Sequence, residues 1–196
     1  TGTSSQTWAD ILASPKPDAV FRYIFQNING LPVNPRAYKH QQIGAAFTET
    51  EADMFGFAEL NLNLKVLGAS AQFYDRFQFL RRNHSIHAVN QHDTSQATVL
   101  YGGTAQITMG PSSHRVLASG QDESGLGRWV WTLLRGRNHT KLRVITGYRP
   151  NPDSTDGTGS VYSQHKRYLT SIKDDGNPRR ASFSYTHLTL PTKRIV

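Results

Sequence analysis

The chain has 196 residues, of which 37% are apolar and 18% charged, a composition that excludes a disordered chain and allows one domain with a proper core. Its 22 Lys and Arg against 14 Asp and Glu give a formal net charge of +8, which favours a polyanionic partner such as nucleic acid. The absence of cysteine excludes disulfides, thiolate metal sites and cysteine nucleophiles, and without a run of about 18 apolar residues no membrane span is predicted.

The first predicted element is a strand over Arg22–Phe25 that runs directly into the polar stretch Gln26–Gly30. Parallel sheets present such polar groups at the carboxyl ends of their strands, where binding sites are built. Asn27 and Asn29 would then lie at the mouth of a cleft. The alternative from the same residues is an Asn-Gly turn with no further role.

A helix and a second strand follow. Residues Pro35–Thr50 repeat apolar side chains near helical spacing, and Pro35 suits a first helical turn. Asp53–Glu59 is a short apolar run that ends in a carboxylate. Strand, helix and strand in this order imply a right-handed crossover and two parallel strands. Asn27 and Glu59 are therefore predicted at the same edge of one sheet.

The next stretch offers two further hypotheses. A helix is predicted over Tyr74–Arg82, and its basic end is expected to face solvent rather than phosphates. A group of loosely spaced histidines suggests a metal site, but no cysteine accompanies them and Asp93 is the nearby carboxylate, so zinc is disfavoured. These histidines are His84, His87 and His92.

From Val99 onward the chain shows short strands separated by glycine-rich turns, as in antiparallel meanders. Trp129 and Trp131 share one face of their strand, and packing in the core or between layers is favoured over stacking on bases. A last helix is predicted over Val161–Ile172. The predicted strands are Val99–Tyr101, Thr104–Met109, Arg115–Ala118, Arg128–Leu134 and Leu142–Gly147.

Four short motifs stand in a fixed order between Phe21 and Asn151. They are Gln26–Leu31, a strand end of the Trp-Asn-x-x-Gly-Leu type, Phe55–Glu59, an apolar strand that delivers a glutamate, Gly102–Ala105, and a Tyr-x-Pro-Asn motif at Tyr148–Asn151. Together they resemble the endonuclease/exonuclease/phosphatase superfamily. Its members are metal-dependent phosphodiesterases that include apurinic endonucleases and the endonuclease domains of non-LTR retrotransposons.

The resemblance implies a four-layer α/β sandwich, two mixed β-sheets face to face with helices outside, and hydrolysis of DNA phosphodiester bonds with Mg²⁺ or Mn²⁺. It implies that Glu59 holds the metal, that Asn27 orients the attacking water or a neighbouring acid, and that Tyr148 donates its hydroxyl to a phosphoryl oxygen. Asn151 would bind a substrate phosphate. Asn29 stands where many members have an aspartate near the metal, so its carboxamide is the second candidate ligand.

The chain also departs from this pattern. The general base of a Gly-Asp-x-Asn motif and the histidine of a Ser-Asp-His motif have no counterpart here. Residues 184–196 resemble translated sequencing-adapter sequence. The predicted organisation is therefore a polar lead-in over 1–19, the N-terminal part of the domain, incomplete at its C-terminus, over 20–181, and a non-native tail over 182–196. Such a piece is expected to have little or no activity by itself.

The origin and substrate leave alternatives open. The helix near Gln164–Ile172 and the Asn177–Arg179 stretch are most similar to retroelement members encoded beside reverse transcriptases, which would place a eukaryotic parent in the nucleus. The same fold also serves hydrolysis of small phosphoesters such as nucleotides and phosphoinositides. Asn29 in place of aspartate is the hint of a domain that binds nucleic acid without cutting it. The positive charge favours DNA as the substrate.

Overall fold

The computed structural model describes residues 15–66, 76, 84–91, 96–148 and 166. The chain divides into two compact units, Thr1–Tyr148 and Arg149–Val196. Of the second unit only Lys166 is described, so the architecture below is that of the first. The predicted helices over 74–82 and 161–172 lie outside the described residues, apart from Arg76 and Lys166.

The first sheet has four strands in the order β1-β2-β4-β3. Strand β1 pairs in parallel with β2, whereas β4 is antiparallel to both β2 and β3, so the sheet is mixed. The predicted crossover from β1 through a helix to a parallel β2 is therefore confirmed. The strands are β1 (Tyr23–Asn27), β2 (Met54–Ala58), β3 (His84–Val89) and β4 (Thr104–Met109).

Helix α1, Tyr38–Glu49, covers one face of this sheet. Phe47 of the helix packs edge-on against Phe55 of β2, with ring centroids 3.9 Å apart, and Phe57 lies on the same face. The predicted helix is confirmed, but it begins three residues after Pro35, because Ala37 is still extended and acts as the N-cap. No helix in the described part of the chain is long and apolar enough to cross a membrane.

The second sheet is an antiparallel meander in the order β5-β6-β7. A single helical turn, α2 (Gly110–Ser113), connects the first sheet to it. Three of the predicted strands are confirmed here with slightly shifted ends. The strands are β5 (Val116–Gln121), β6 (Trp129–Arg135) and β7 (Lys141–Gly147).

The predicted strand over Val99–Tyr101 is wrong, because this segment is a loop. Its backbone is held by side chains instead of a neighbouring strand. The carboxamide of Asn90 donates to the Leu100 carbonyl at 2.6 Å, and that of Asn63 donates to the Ala97 carbonyl at 2.9 Å. Three apolar residues in a row are too short a signal to separate a strand from a loop that buries one leucine.

A buried polar layer joins the two sheets face to face. The hydroxyl groups of Tyr23 on β1 and Thr146 on β7 lie 2.8 Å apart. Gln106 of β4 donates to Thr146 Oγ1 at 2.8 Å and accepts a hydrogen bond of 2.7 Å from Thr132 of β6. The α/β sandwich is thus confirmed, and helix α1 and the two sheets are its layers among the described residues.

The two tryptophans of β6 share one face, as predicted, but they do not pack between the sheets. Val130 fills that space and is fully buried, whereas Trp129 and Trp131 are half-buried on the opposite face. Arg143 lies over the Trp131 ring, with its guanidinium carbon 4.6 Å from the ring centroid. The core position between the two sheets is taken instead by the smaller residues of this strand, which alternation places on its inward face.

Asp53 fastens the end of the sandwich where β2 begins. Its carboxylate accepts hydrogen bonds from Lys16 Nζ at 2.7 Å, from the Arg22 backbone at 2.8 Å and from Ser112 Oγ at 2.9 Å. Burial alone would raise the pKa of Asp53, but these hydrogen bonds lower it below its ordinary value. The segment before β1, the start of β2 and helix α2 are therefore tied to one charged group.

We expect the protein to lose stability in acid because of His40, which is 1% exposed. Burial, and next the charge of Arg76, lower the pKa of His40 from 6.5 to about 4. As the pH falls, the unfolded chain therefore binds this proton before the folded protein does. The contribution of His40 to the free energy of unfolding is fully present above pH 6.5 and is lost as the pH drops from there towards 4. The loss is roughly 2 to 3 kcal/mol.

Urea denaturation at a series of pH values measures this effect. His40→Gln should remove most of the slope in that window, whereas His139→Gln, in an exposed turn, should leave it in place. An unchanged slope in the His40 variant would show that another group controls the acid limb.

Candidate functional site

Three predicted site residues follow strand ends at one end of the sandwich. Asn27 is the last residue of β1, Glu59 directly follows β2, and Tyr148 directly follows β7. The structure brings Glu59 and Tyr148 into direct contact, and the tyrosine hydroxyl donates a hydrogen bond to the carboxylate. Burial, and next the negative charge of Glu59, raise the pKa of Tyr148 to about 12, so the hydroxyl keeps its proton at neutral pH.

The loops that carry Asn27 and Glu59 are hydrogen-bonded to each other along their backbones. Ile28 N donates to the Ala58 carbonyl at 3.1 Å, Gly30 N to the Glu59 carbonyl at 2.7 Å and Leu31 N to the Leu60 carbonyl at 2.8 Å. Glu59 itself has a φ of 57°, which is uncommon for a residue with a side chain. These bonds continue the β1–β2 pairing beyond the sheet and hold Glu59 in that conformation.

Helix α1 supports the same turn from the other side. Lys39 Nζ donates to the carbonyl oxygens of Ile28 and Gly30, both at 2.5 Å, and burial lowers the pKa of this lysine. Arg76 donates to the carbonyls of Pro32 and Val33, the two residues that follow this turn. The backbone amides and carbonyls of the turn therefore have partners on both sides, which fixes the position of Asn27.

Asn27 and Asn29 form the turn that the dipeptide Asn-Gly suggests, and they do so at the site. The Asn27 carboxamide oxygen accepts a hydrogen bond of 3.0 Å from the Asn29 backbone, and Asn29 has a φ of 47°. Both side chains are exposed. Asn27 comes four residues after Tyr23 in β1, so the two side chains lie on the same face of the sheet. The Tyr23 hydroxyl reaches the second sheet, so this face is the one turned towards β7.

Arg128 is a residue of this cluster that the sequence analysis did not assign to the site. It is 1% exposed, and its guanidinium carbon lies 5.6 Å from the centre of the Tyr148 ring. The Tyr148 backbone donates to the Arg128 carbonyl at 2.7 Å. A cation over an aromatic face is attractive, and this pair orients the ring. The signal in the sequence that could have pointed to Arg128 is a charged residue between Gly127 and an apolar strand.

Gly102 allows Arg128 and Tyr148 to approach the first sheet. A methyl group added at Gly102 would lie 3.2 Å from an Arg128 nitrogen and 3.6 Å from the Tyr148 ring. The Gly102 backbone donates to the Asn61 side chain at 2.8 Å, and its φ is 96°. The Gly-Gly motif therefore matters for close packing at the site as well as for the turn.

The donor set suits a hard divalent cation but is small. Glu59 supplies a carboxylate at the strand ends where Asn27 also lies, and Mg²⁺ in proteins is commonly held by one or two carboxylates together with waters and substrate phosphate. Among residues 15–66, 76, 84–91, 96–148 and 166, no group of three or more His, Asp or Glu side chains could hold a metal. Asn151 lies outside the described residues, as does His92, while His84 and His87 are both in β3.

No protein-family model and no curated protein matches the chain. Among solved structures it is similar to the 3' phosphatase NExo from Neisseria bound to a product DNA hairpin, at 16% identity and a TM-score of 0.47, over 82% of this chain and 54% of that one. It is also similar to an AP endonuclease from Archaeoglobus fulgidus, at 14% identity and a TM-score of 0.48, over 79% of this chain and 49% of that one. The chain spans about half the length of these proteins.

Proposed function

We propose that this chain is the N-terminal part of a Mg²⁺-dependent phosphodiesterase that hydrolyses DNA. The observation that carries the proposal is the hydrogen bond between Glu59 and Tyr148 at the strand ends beside Asn27. Hydrolysis of a phosphodiester needs groups that stabilise negative charge on the phosphoryl oxygens. A metal ion held by a carboxylate and a phenol that stays protonated can both do so. The formal net charge of +8 suits a polyanionic substrate.

Glu59 would hold the metal ion, with Mn²⁺ able to take the place of Mg²⁺. When bound, the ion supplies a Lewis acid that polarises the phosphate. Asn29 is the second candidate ligand, and its neutral oxygen would contribute less than an aspartate would at that position. The residues of the turn present Asn27 without adding negative charge near the phosphate, and Asn27 would orient a water molecule or an acidic neighbour.

With substrate bound, Tyr148 would redirect its hydroxyl proton from Glu59 to a phosphoryl oxygen, where negative charge develops. Its pKa of about 12 keeps it a donor through the neutral range, and Arg128 fixes the ring from behind. Donors held in place before the reaction stabilise the transition state without reorganisation. Asn151, three residues further along the chain, would bind a backbone phosphate of the substrate.

The groups for proton transfer would come from elsewhere in the parent protein. In the superfamily that this chain resembles, the base belongs to a Gly-Asp-x-Asn motif and the histidine to a Ser-Asp-His motif. Neither motif is in this sequence. We therefore propose that the chain binds metal and DNA but does not cut at a measurable rate. A retroelement parent is proposed on the resemblance of residues 164–179.

Metal binding by Glu59 can be tested on the chain as it is. Substoichiometric Mn²⁺ should broaden the amide resonances of the turn at Gly30 and of Tyr148 in heteronuclear NMR spectra. Glu59→Gln should weaken this binding by about tenfold or more, because a carboxylate ligand is lost. Glu49→Gln, an exposed position at the end of helix α1, is the matched control and should have no effect. Equal broadening in wild type and the Glu59 variant would remove Glu59 as the ligand.

A nucleic-acid-binding domain without catalysis is the second candidate. The observation that favours it is Asn29, an exposed carboxamide at the position where a charged ligand is expected. Salt-dependent DNA binding by a protein that includes the downstream motifs, without cleavage in Mg²⁺ or Mn²⁺, would decide for this candidate.

A further inference from the structure

The β6–β7 hairpin, Arg135–Arg143, is strongly basic. Its nine residues, Arg-Gly-Arg-Asn-His-Thr-Lys-Leu-Arg, contain four cationic side chains and no carboxylate. All four are exposed. They are Arg135, Arg137, Lys141 and Arg143.

The register of the hairpin places like charges together. Arg135 and Lys141 are direct cross-strand partners, and Leu133 pairs with Arg143 two positions further along. Because Leu134 between them is fully buried, Arg135, Lys141 and Arg143 lie on the outer face of the second sheet. Like charges directly opposite each other destabilise a sheet, so this arrangement is not one that folding favours.

The charges are not neutralised within the described residues. The ion pair found there joins Lys16 to Asp53, on the first sheet, and none involves the hairpin. The hairpin is also held in shape. Gly136 N donates to the Thr140 carbonyl at 2.8 Å, and Thr140 N donates to the Arg137 carbonyl at 3.0 Å. Arg115 Nε donates to the Arg135 carbonyl at 2.8 Å, which brings a fifth cation to its base.

We propose that this hairpin binds the phosphate backbone of a nucleic acid. The hairpin tip and Tyr148 lie at opposite ends of the seven-residue strand β7, which separates them by roughly 20 Å. The surface is therefore distinct from the candidate site, and its role does not depend on whether that site hydrolyses anything. A nucleic acid fits better than a small anion because the cations are spread along two strands and not gathered around one point.

The contact is to phosphates and not to bases. Trp131 is the aromatic ring next to these cations, and Arg143 covers its face, so the ring offers no open platform for stacking. Binding should therefore be independent of sequence and strongly dependent on salt.

Fluorescence anisotropy with a labelled duplex of about 20 base pairs, measured on the whole chain over a range of KCl concentrations, tests the proposal. Replacing Arg137 and Lys141 with glutamine should raise the Kd roughly tenfold and reduce the slope of log K against log salt by about two. The charge-preserving variant R137K/K141R should bind like the wild type.

The matched control is R36Q/K65Q, which also removes one exposed arginine and one exposed lysine. It should reduce the slope by less than half as much as the hairpin variant does. Equal losses in the two variants would mean that only the overall charge acts, and would overturn the proposal. It would also be overturned if the wild type failed to bind the duplex, or if a poly-glutamate peptide competed as well as unlabelled DNA, which would assign the hairpin to an acidic protein.

Discussion

Replacing Gly56 with alanine is expected to lower the free energy of unfolding by roughly 3 kcal/mol. Gly56 lies in the middle of β2 on the face turned towards the second sheet. An added methyl group would lie 2.5 Å from Thr146 Oγ1 and closer still to the Tyr23 hydroxyl. Both groups belong to the buried polar layer, where water does not reach them. They cannot move away without breaking hydrogen bonds that nothing would replace.

Denaturation in urea measures the loss, and two variants control it. Gly147→Ala adds the same methyl group where the nearest atom, the Arg128 carbonyl oxygen, is 4.0 Å away, so its stability should stay close to that of the wild type. Tyr23→Phe removes one of the two obstructing hydroxyls, and combined with Gly56→Ala it should cost less than the sum of the single changes. A loss below about 1 kcal/mol for Gly56→Ala would show that the sheets separate easily at this point.

The same layer shows where the pattern of a sequence stops being informative. The inward positions of β4 and β6 include Gln106 and Thr132, which alternation would assign to a solvent face. They are buried because a second sheet covers them and supplies their hydrogen-bond partners. Gln106 bonds to Thr132, 26 positions away in the sequence, and to Thr146, 40 positions away. A local pattern of apolar and polar residues cannot reveal contacts over such distances.

The first half of the fold could be predicted because its signals are local. A short strand, a helix of 12 residues and a second short strand leave little choice but a right-handed parallel crossover. This crossover also places Asn27 and Glu59 at one edge, and the register confirms it by pairing Asn27 with Ala58, the residue before Glu59.

The site was predictable in part for the same reason. Glu59 follows from the crossover and Tyr148 from its motif, whereas Arg128 takes its role from tertiary packing. Gly102, in the loop before β4, leaves room for it beside Tyr148, because a side chain there would crowd both groups. The partners of Lys39 are likewise backbone carbonyls, which no residue pattern can reveal.

The hydrogen bond between Glu59 and Tyr148 gives the proposed function its sharpest test. In a parent protein that includes the downstream motifs, Tyr148→Phe should reduce kcat for cleavage of duplex DNA by about 10²- to 10³-fold, because the lost donor acts on charge that develops in the transition state. KM should change much less. Glu59→Gln should reduce kcat at least as far, and excess Mn²⁺ should restore part of it if the defect lies in metal affinity.

Tyr101→Phe is the matched control, since Tyr101 is 73% exposed and directly precedes Gly102, beside the same cluster. It should retain wild-type kcat. A Tyr148→Phe enzyme with normal kcat and raised KM would mean that the hydroxyl binds the ground state and the transition state equally. The packing of the Tyr148 ring against Arg128 argues for a loss of kcat, because a ring held in place presents its hydroxyl in one direction. A donor held in that way stabilises most strongly the charge that develops in the transition state.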